Sequence, residues 1–413
     1  MPEFIFDKWT EVYAKKTRSL QSSPIRDLFS VASRSDIISF AGGMPYTKPI
    51  AAEDIVAATQ QALAKNKDAS LQYCSTDGHR GLKKHIIDFL KAENIRAHED
   101  GILITMGAQQ ALDLISKIFI DSGSVVLTES PSYVGALNAF ANAGARIETV
   151  AMDNNGLQVS ALKEKLKKLK KKPKFLYTVP NFHNPAGVTL SAKRRHELIK
   201  LAEAEDLLII EDNAYSMLGF DESSNYPALR SLSDNIVYLG TFSKILFSPG
   251  IRLGWVLAPK AILEKLAIVK QSSDLCTATL NQHIANEFLN LKPWPKRAKQ
   301  MAKIYEQKKN VMIESLKKYF PREASWTKPK GGFYVWVKLP YFVDTAQMLA
   351  EAINEKVAYV PGAGFFPNSE GKNYMRLSYC LPEPKEIEEG IKRLGKVVKS
   401  RIELYRSFSK YRR

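Results

Sequence analysis

Cysteine is scarce in this chain of 413 residues: Cys74, Cys276 and Cys380 stand alone, with no CxxC pair and no even set. A disulfide framework and a thiolate zinc site are therefore not expected, and three free thiols suit a reducing compartment. Histidine is equally sparse, six in all and none in an HExxH spacing, which leaves no case for a metal. Nowhere does a run of about eighteen uncharged apolar residues occur, the length a membrane span needs. The opening MPEFIFDKWTEVYAKK places Asp7, Lys8 and Glu11 where a signal peptide requires unbroken apolar sequence. The expected location is the cytoplasm, with no membrane partner. Glycine and proline show no short period, so fibrous and solenoid architectures have nothing to support them.

What is present is an apolar fraction of 45% beside 25% charged residues, enough to bury a large core. At roughly 150 residues per domain, the length predicts two or three domains, or one large α/β domain with a smaller companion. The net charge of +17 raises the question of nucleic acid. Its distribution argues against that partner. Eight lysines crowd between Lys163 and Lys174, but Leu162, Leu166 and Leu169 recur among them at helical spacing, which predicts an amphipathic helix with a solvated basic face. A surface that favours anionic small substrates is the more modest implication.

From about Asp100 to Pro259, short β-branched apolar runs alternate with helical stretches: ILITM, SVVLTES, RIETVAM, FLYTVP, LLIIED, NIVYLG and GWVLAP. Such runs, nearly continuous in hydrophobicity, predict strands of a mainly parallel sheet covered by helices on both faces. Helices are expected at Ala108 to Ile120, Ser191 to Glu205 and Ala261 to Lys270. The rhythm breaks at KPWPK, near Lys292 to Lys296. A long charged helix to Tyr319 and a short strand, GGFYVWVKL, follow, so a smaller α+β domain is expected there. The expected division is 1–40 as an arm packing with the small domain, 41–292 as the large domain and 293–413 as the small one.

In an open parallel sheet, ligands bind beyond the carboxyl ends of the strands. Those positions are unusually polar here. FLYTVP is followed by Asn181-Phe182-His183-Asn184-Pro185-Ala186-Gly187, LLIIE by Asp212-Asn213-Ala214-Tyr215, and IVYLG by Thr241-Phe242-Ser243-Lys244. After ILITM, Gly107-Ala108-Gln109 turns into a helix start whose free N–H groups can take a phosphate. Each feature alone is commonly a turn, a cap or a solvated lysine; their order along the chain is the signal.

Asn184, Asp212, Tyr215, Lys244 and Arg252, in that order at strand ends, resemble the constellation of pyridoxal-phosphate enzymes of the aspartate aminotransferase fold, class I/II. The resemblance runs from SPIRDLF and FAGGMP through LQYCSTDGHRGLK, PNFHNPAG, IIEDNAY, TFSK, GIRLGW, GGFYVW and VPGAGFF to YMRLSYC. SPIR, the Gly-Gly before Met44-Pro45, and LQY are most similar to the branch holding 2-aminoadipate, kynurenine and aromatic aminotransferases. The resemblance implies a seven-stranded large-domain sheet, pyridoxal 5'-phosphate as cofactor, amino-acid and 2-oxo-acid substrates, and a homodimer with shared active sites.

By that resemblance, Lys244 would hold the cofactor aldehyde and then shuttle a proton at the substrate's Cα. Asp212 would keep the pyridine nitrogen protonated, Asn184 and Tyr215 would bond the ring's phenolic oxygen, and Tyr133 would stack on the ring. Ala108, Gln109, Thr241, Ser243 and Arg252 would hold the phosphate, joined by Tyr73 from the neighbouring subunit. Arg376 would grip the substrate's α-carboxylate, with Gly43 letting the backbone approach it. Arg26 would meet the substrate's side chain. Seven residues separate Lys244 from Arg252 where relatives usually carry six, Thr241 replaces a serine, and His183 is assigned no chemistry. A β-eliminating carbon–sulfur lyase of the same fold is the first alternative. A transcription regulator with this fold as effector domain ranks lower, since about forty residues precede Gly42-Gly43.

Overall fold

The computed structural model describes residues 8–9, 11–14, 17, 34–221, 226–244, 249–368 and 370–410. The first elements are β1 (Ile38–Ser39), α1 (Ala52–Leu71) and α2 (Arg80–Ala92). Strands and helices then alternate through β2 (Ile102–Thr105), α3 (Gly107–Phe119), β3 (Val125–Ser130), α4 (Val134–Asn142), β4 (Arg146–Asp153), β5 (Gly156–Leu157), α5 (Val159–Lys168), β6 (Leu176–Thr178) and α6 (Ala192–Ala204). They continue with β7 (Ile209–Asp212), β8 (Ile236–Thr241), β9 (Gly254–Leu257), α7 (Lys260–Ser273) and α8 (Thr279–Leu291). The last part holds α9 (Trp294–Tyr319), β10 (Ser325–Trp326), β11 (Tyr334–Lys338), α10 (Thr345–Asn354), β12 (Val357–Ala358), β13 (Val360–Pro361), β14 (Tyr374–Ser378) and α11 (Pro384–Lys410).

All seven apolar runs of the central region are strands of one sheet, ordered β2-β9-β8-β7-β6-β3-β4-β5. The eighth strand, β5, is a two-residue return of β4 too short to leave an apolar signature. β9 alone among the seven runs antiparallel to both neighbours. The residues of β2, β7, β8 and β9 are buried throughout, as expected of strands covered on both faces. One face carries Leu103, Val126, Tyr177, Ile210, Val237 and Val256, packed against α3 and α7; the other packs Leu127, Leu176, Ile209 and Ile236 against α5 and α6.

The helix expected over the lysine-rich stretch ends early. α5 stops at Lys168, and Lys170 to Lys174 lie outside any helix. Lysines four apart repel along a helix face, and the backbone before Pro173 disfavours helical dihedrals. A second, antiparallel sheet is ordered β10-β11-β14-β13, and β1 pairs in parallel with β12. This ties the segment around Ile38 to the part of the chain that carries β11 and β14. Phe40, Phe333, Val335, Leu377 and Leu394 share one core with residues of α2 and α8.

Candidate active site

The carboxyl ends of β6, β7 and β8 and the start of α3 open on one cavity of about 420 Å³. Gly43, Ala108, Gln109, Tyr133, Asn184, Asp212, Tyr215, Thr241, Ser243, Lys244, Arg252 and Arg376 all line it. Most of these residues, spread over more than three hundred positions, converge because they end or follow β2, β3, β6, β7 or β8, whereas Gly43 follows β1 of another sheet and Arg252 precedes the antiparallel β9. Arg376 alone of these comes from β14, in the second sheet.

Asp212 terminates β7 and is 5% exposed. Oδ2 accepts a hydrogen bond of 2.7 Å from the Tyr177 hydroxyl, while Oδ1 is buried and has no partner among the described residues. Burial raises its pKa to about 6, opposed by the Tyr177 bond and by the charges of His183 and Lys244. The turn that follows is fixed from behind by a buried chain of polar groups. Arg195 donates to Asn181 Oδ1 (2.6 Å), Asn181 to Asn213 Oδ1 (2.9 Å), and Asn213 to Glu93 Oε2 (3.0 Å). Glu93 also accepts from Tyr238 (3.0 Å) and from Ser216. Burial pushes its carboxyl up to about 8. Tyr215 is thereby held between two anchored residues, Asn213 and Ser216.

Lys244 follows β8, and its Nζ donates to the Gly43 carbonyl at 2.9 Å. Desolvation pulls its pKa down to about 8, a shift reinforced by the Arg376 and Arg252 charges and opposed by Cys380 and Asp212. An amine so depressed is largely neutral, and nucleophilic, in mildly alkaline solution.

At the other end, Arg376 Nη1 donates to Asn184 Oδ1 (2.9 Å) and Nη2 to the Ala41 carbonyl (2.7 Å). Its Nε is buried without a partner among the described residues. Register places Trp336 opposite Arg376, so Tyr334 lies diagonally across on the same face. The guanidinium sits 4.4 Å from the Tyr334 ring centroid. The Tyr334 hydroxyl lies 3.3 Å from that of Tyr215, and a Cβ at Gly43 would fall 2.1 Å from it. Gly43 is therefore a glycine for close approach.

The phosphate-sized end is built on Gly107, whose φ of +71° a side chain would strain. Met106 N–H is taken up by Gln110 Oε1 (2.8 Å), which leaves the next amides of α3 facing outward. Arg252, itself at φ +56°, lays its guanidinium over Gly107, where a Cβ would meet Nη2 at 2.9 Å. The Thr241 hydroxyl lies 3.0 Å from Ser243 Oγ and 3.1 Å from Leu253 O, and it accepts from Ser243 N–H at 3.1 Å. It shapes the turn that presents Ser243. Gln109 donates to Gly135 O (3.0 Å) and accepts from the Tyr133 hydroxyl (3.3 Å), so its side chain steadies Tyr133. Burial raises the Tyr133 phenol to about 12.

Of the residues singled out from sequence, Tyr73 does not line the cavity and is 76% exposed just beyond α1, and Arg26 lies outside the described residues. Two that were not singled out are in it or against it. Tyr334 was quoted only as part of GGFYVW, and Tyr177 sits inside an apolar run where alternation offers no hint that one hydroxyl meets a carboxylate. His183 donates nothing to the cavity. Its Nδ1 accepts from Ala186 N–H (3.3 Å) and its Nε2 faces Glu129 Oε2 at 3.1 Å.

The profile of the family described as "Aminotransferase class I and II" matches residues 35–394. The chain is 37% identical to Aromatic-amino-acid aminotransferase 1 of Thermococcus litoralis, over 97% of this chain and 96% of that protein. It is 37% identical to 2-aminoadipate transaminase of Thermus thermophilus, over 96% of this chain and 98% of that one. Among solved structures, the Pyrococcus horikoshii kynurenine aminotransferase in complex with PMP is 38% identical and superposes with a TM-score of 0.90, covering 95% of this chain and 98% of that one.

Proposed function

Because the chain belongs to the class I and II aminotransferases, we propose that it moves the amino group of an aromatic amino acid, 2-aminoadipate or glutamate to a 2-oxo acid such as 2-oxoglutarate. The transfer runs by two half-reactions at one site. The observation that carries this reading is the shared cavity of Lys244, the open Oδ1 of Asp212 and the open Nε of Arg376.

These residues fit pyridoxal phosphate. A buried carboxylate oxygen without a partner is an acceptor for a pyridinium N–H, and the glycine-lined start of α3 beneath Arg252 is a seat for a dianionic phosphate. When bound, the cofactor supplies an aldehyde for the amine and a ring that takes up the electron pair released at the substrate's Cα. Lys244 would hold the cofactor through its aldehyde, and its neutral Nζ, once freed, would move a proton between the substrate's Cα and the cofactor carbon that bears the nitrogen. Asp212 keeps the ring nitrogen protonated. Asn184 and Tyr215 orient the ring through its phenolic oxygen, and Tyr133 covers one face. Ala108, Gln109, Thr241, Ser243 and Arg252 anchor the phosphate. Arg376 receives the α-carboxylate through Nε and a second N–H, beside the side-chain-free backbone of Gly43.

We assign Tyr73, exposed in the single chain, to the phosphate site of a second copy, which makes the enzyme a homodimer in the cytoplasm. Arg26 meets the distal end of the substrate. Residues 41–292 form the cofactor-binding unit, 293–413 the smaller one, and 1–40 pack with the latter; the β1–β12 pairing supports that arrangement.

The test is the absorption spectrum of the cofactor-loaded chain before and after L-glutamate, 2-aminoadipate or phenylalanine is added without any oxo acid. Stoichiometric conversion to the pyridoxamine band, reversed by 2-oxoglutarate, is expected. Release of ammonia and a 2-oxo acid with no such conversion would favour the lyase instead.

A further inference from the structure

We propose that Tyr177 is a positioning residue for the reaction: its hydroxyl holds the Asp212 carboxylate ionised and turned so that Oδ1 faces the cofactor's ring nitrogen. The inference rests on the pyridoxal-phosphate reading of the site.

The geometry is explicit. Tyr177 lies in β6, next to β7 in the sheet, and its ring is fully buried between Phe140 and the strands. Its hydroxyl donates to Asp212 Oδ2 at 2.7 Å, a length typical of a charge-assisted bond. No other described side chain hydrogen-bonds Asp212. The groups facing it are Tyr177 from β6, His183 from the segment after β6, Lys244 from the end of β8 and Tyr133 from the start of α4. His183 uses one nitrogen on Ala186 and turns the other towards Glu129, whose own oxygens accept from Thr178 (2.8 Å) and Val179 N–H (2.8 Å). Among the described residues, Tyr177 alone therefore fixes the plane of the carboxylate. With Oδ2 engaged by Tyr177, Oδ1 is the carboxylate oxygen left without a partner among the described residues, on a side chain that lines the cavity. The same bond stabilises the charged form against desolvation, the direction in which Tyr177 acts on Asp212.

The experiment titrates cofactor retention. Full-length protein loaded with pyridoxal phosphate is brought from pH 8 to pH 4.5, and free cofactor is separated by ultrafiltration at each step, for wild type, Tyr177→Phe, Asp212→Asn and the double variant. Phenylalanine keeps the buried ring and removes only the hydroxyl. Ionisations of the cofactor itself are common to wild type and Tyr177→Phe and cancel in the comparison. The expected result is a release midpoint about one pH unit higher in Tyr177→Phe, tenfold weaker retention at a given pH in that range. Asp212→Asn should retain cofactor poorly throughout, and adding Tyr177→Phe to it should change nothing. A Tyr177→Phe midpoint within a few tenths of a unit of wild type overturns the inference, as does a shift that persists when Asp212 is Asn. Failure of the wild type to retain the cofactor at pH 8 would overturn the pyridoxal-phosphate reading instead.

Discussion

Replacing Arg376 by lysine is the most informative single perturbation of substrate binding. Arginine has five N–H donors, of which Asn184 Oδ1 and Ala41 O take two. Three remain, among them Nε, which is buried without a partner among the described residues in a side chain that lines the cavity. Lysine keeps the positive charge but loses the planar fork and its contact with the Tyr334 ring. Hydrogen bonds to charged groups contribute about 1.5–3 kcal/mol each. Two are lost, and the ammonium restores part of the attraction, so a net loss of about 2–4 kcal/mol is expected, or about 30- to 800-fold in kcat/KM. The assay is the single-turnover half-reaction with L-glutamate, run beside an amine of the same chain length that lacks the α-carboxylate. The carboxylated donor should lose the full factor and the amine almost nothing, with cofactor affinity unchanged. A loss below about fivefold for glutamate, or an equal loss for both donors, would refute the assignment of Arg376.

Lys244 should react with added pyridoxal phosphate at a rate that rises with pH and levels off above about 8, because the lowered pKa leaves the amine neutral there. A midpoint near the ordinary 10.5 would show that burial does not act as described, and Lys244→Ala should abolish the spectral change altogether. Gly43→Ala should cost tenfold or more in turnover, since its Cβ would fall 2.1 Å from the Tyr334 hydroxyl. Adding Tyr334→Phe leaves the nearest ring carbon at 3.2 Å and should restore most of the loss in a steady-state assay of the double variant. Gly254→Ala would place a Cβ 2.8 Å from the Gly107 carbonyl carbon and 2.9 Å from Ala108 N, so it should weaken cofactor affinity, measured by equilibrium dialysis, more than it lowers kcat of the saturated enzyme.

The parts of the fold that sequence made legible are those with a hydrophobic signature. Each strand of the large sheet except β5 is an apolar run, and residues that end or follow β2, β3, β6, β7 and β8 line the cavity because those strands end on one rim. Strand direction leaves no such trace, so the antiparallel course of β9 follows from the paired strands alone. The polar residues that support the site were the hardest to see. Glu93 ends an amphipathic helix, and Arg195 sits in a helix among charged neighbours, where exposure is the ordinary expectation; both are buried because they satisfy partners in the turns that follow β7 and β6. Tyr334 is hidden in the sequence for a related reason. Its contact with Tyr215 spans 119 residues and depends on how two separate sheets meet.

The guanidinium of Arg376 reaches back 335 residues to Ala41 and 192 residues to Asn184. Lys244 and Asp212, by contrast, are complete once β8 has been made. Under the proposed function, synthesis from the N-terminus therefore completes the groups assigned to the cofactor's ring and aldehyde first and, only with β14, the guanidinium assigned to the substrate's carboxylate. On that assignment a nascent chain that stops before Arg376 lacks the guanidinium that would clamp a substrate carboxylate, so commitment to amino acids is deferred until the polypeptide is almost finished.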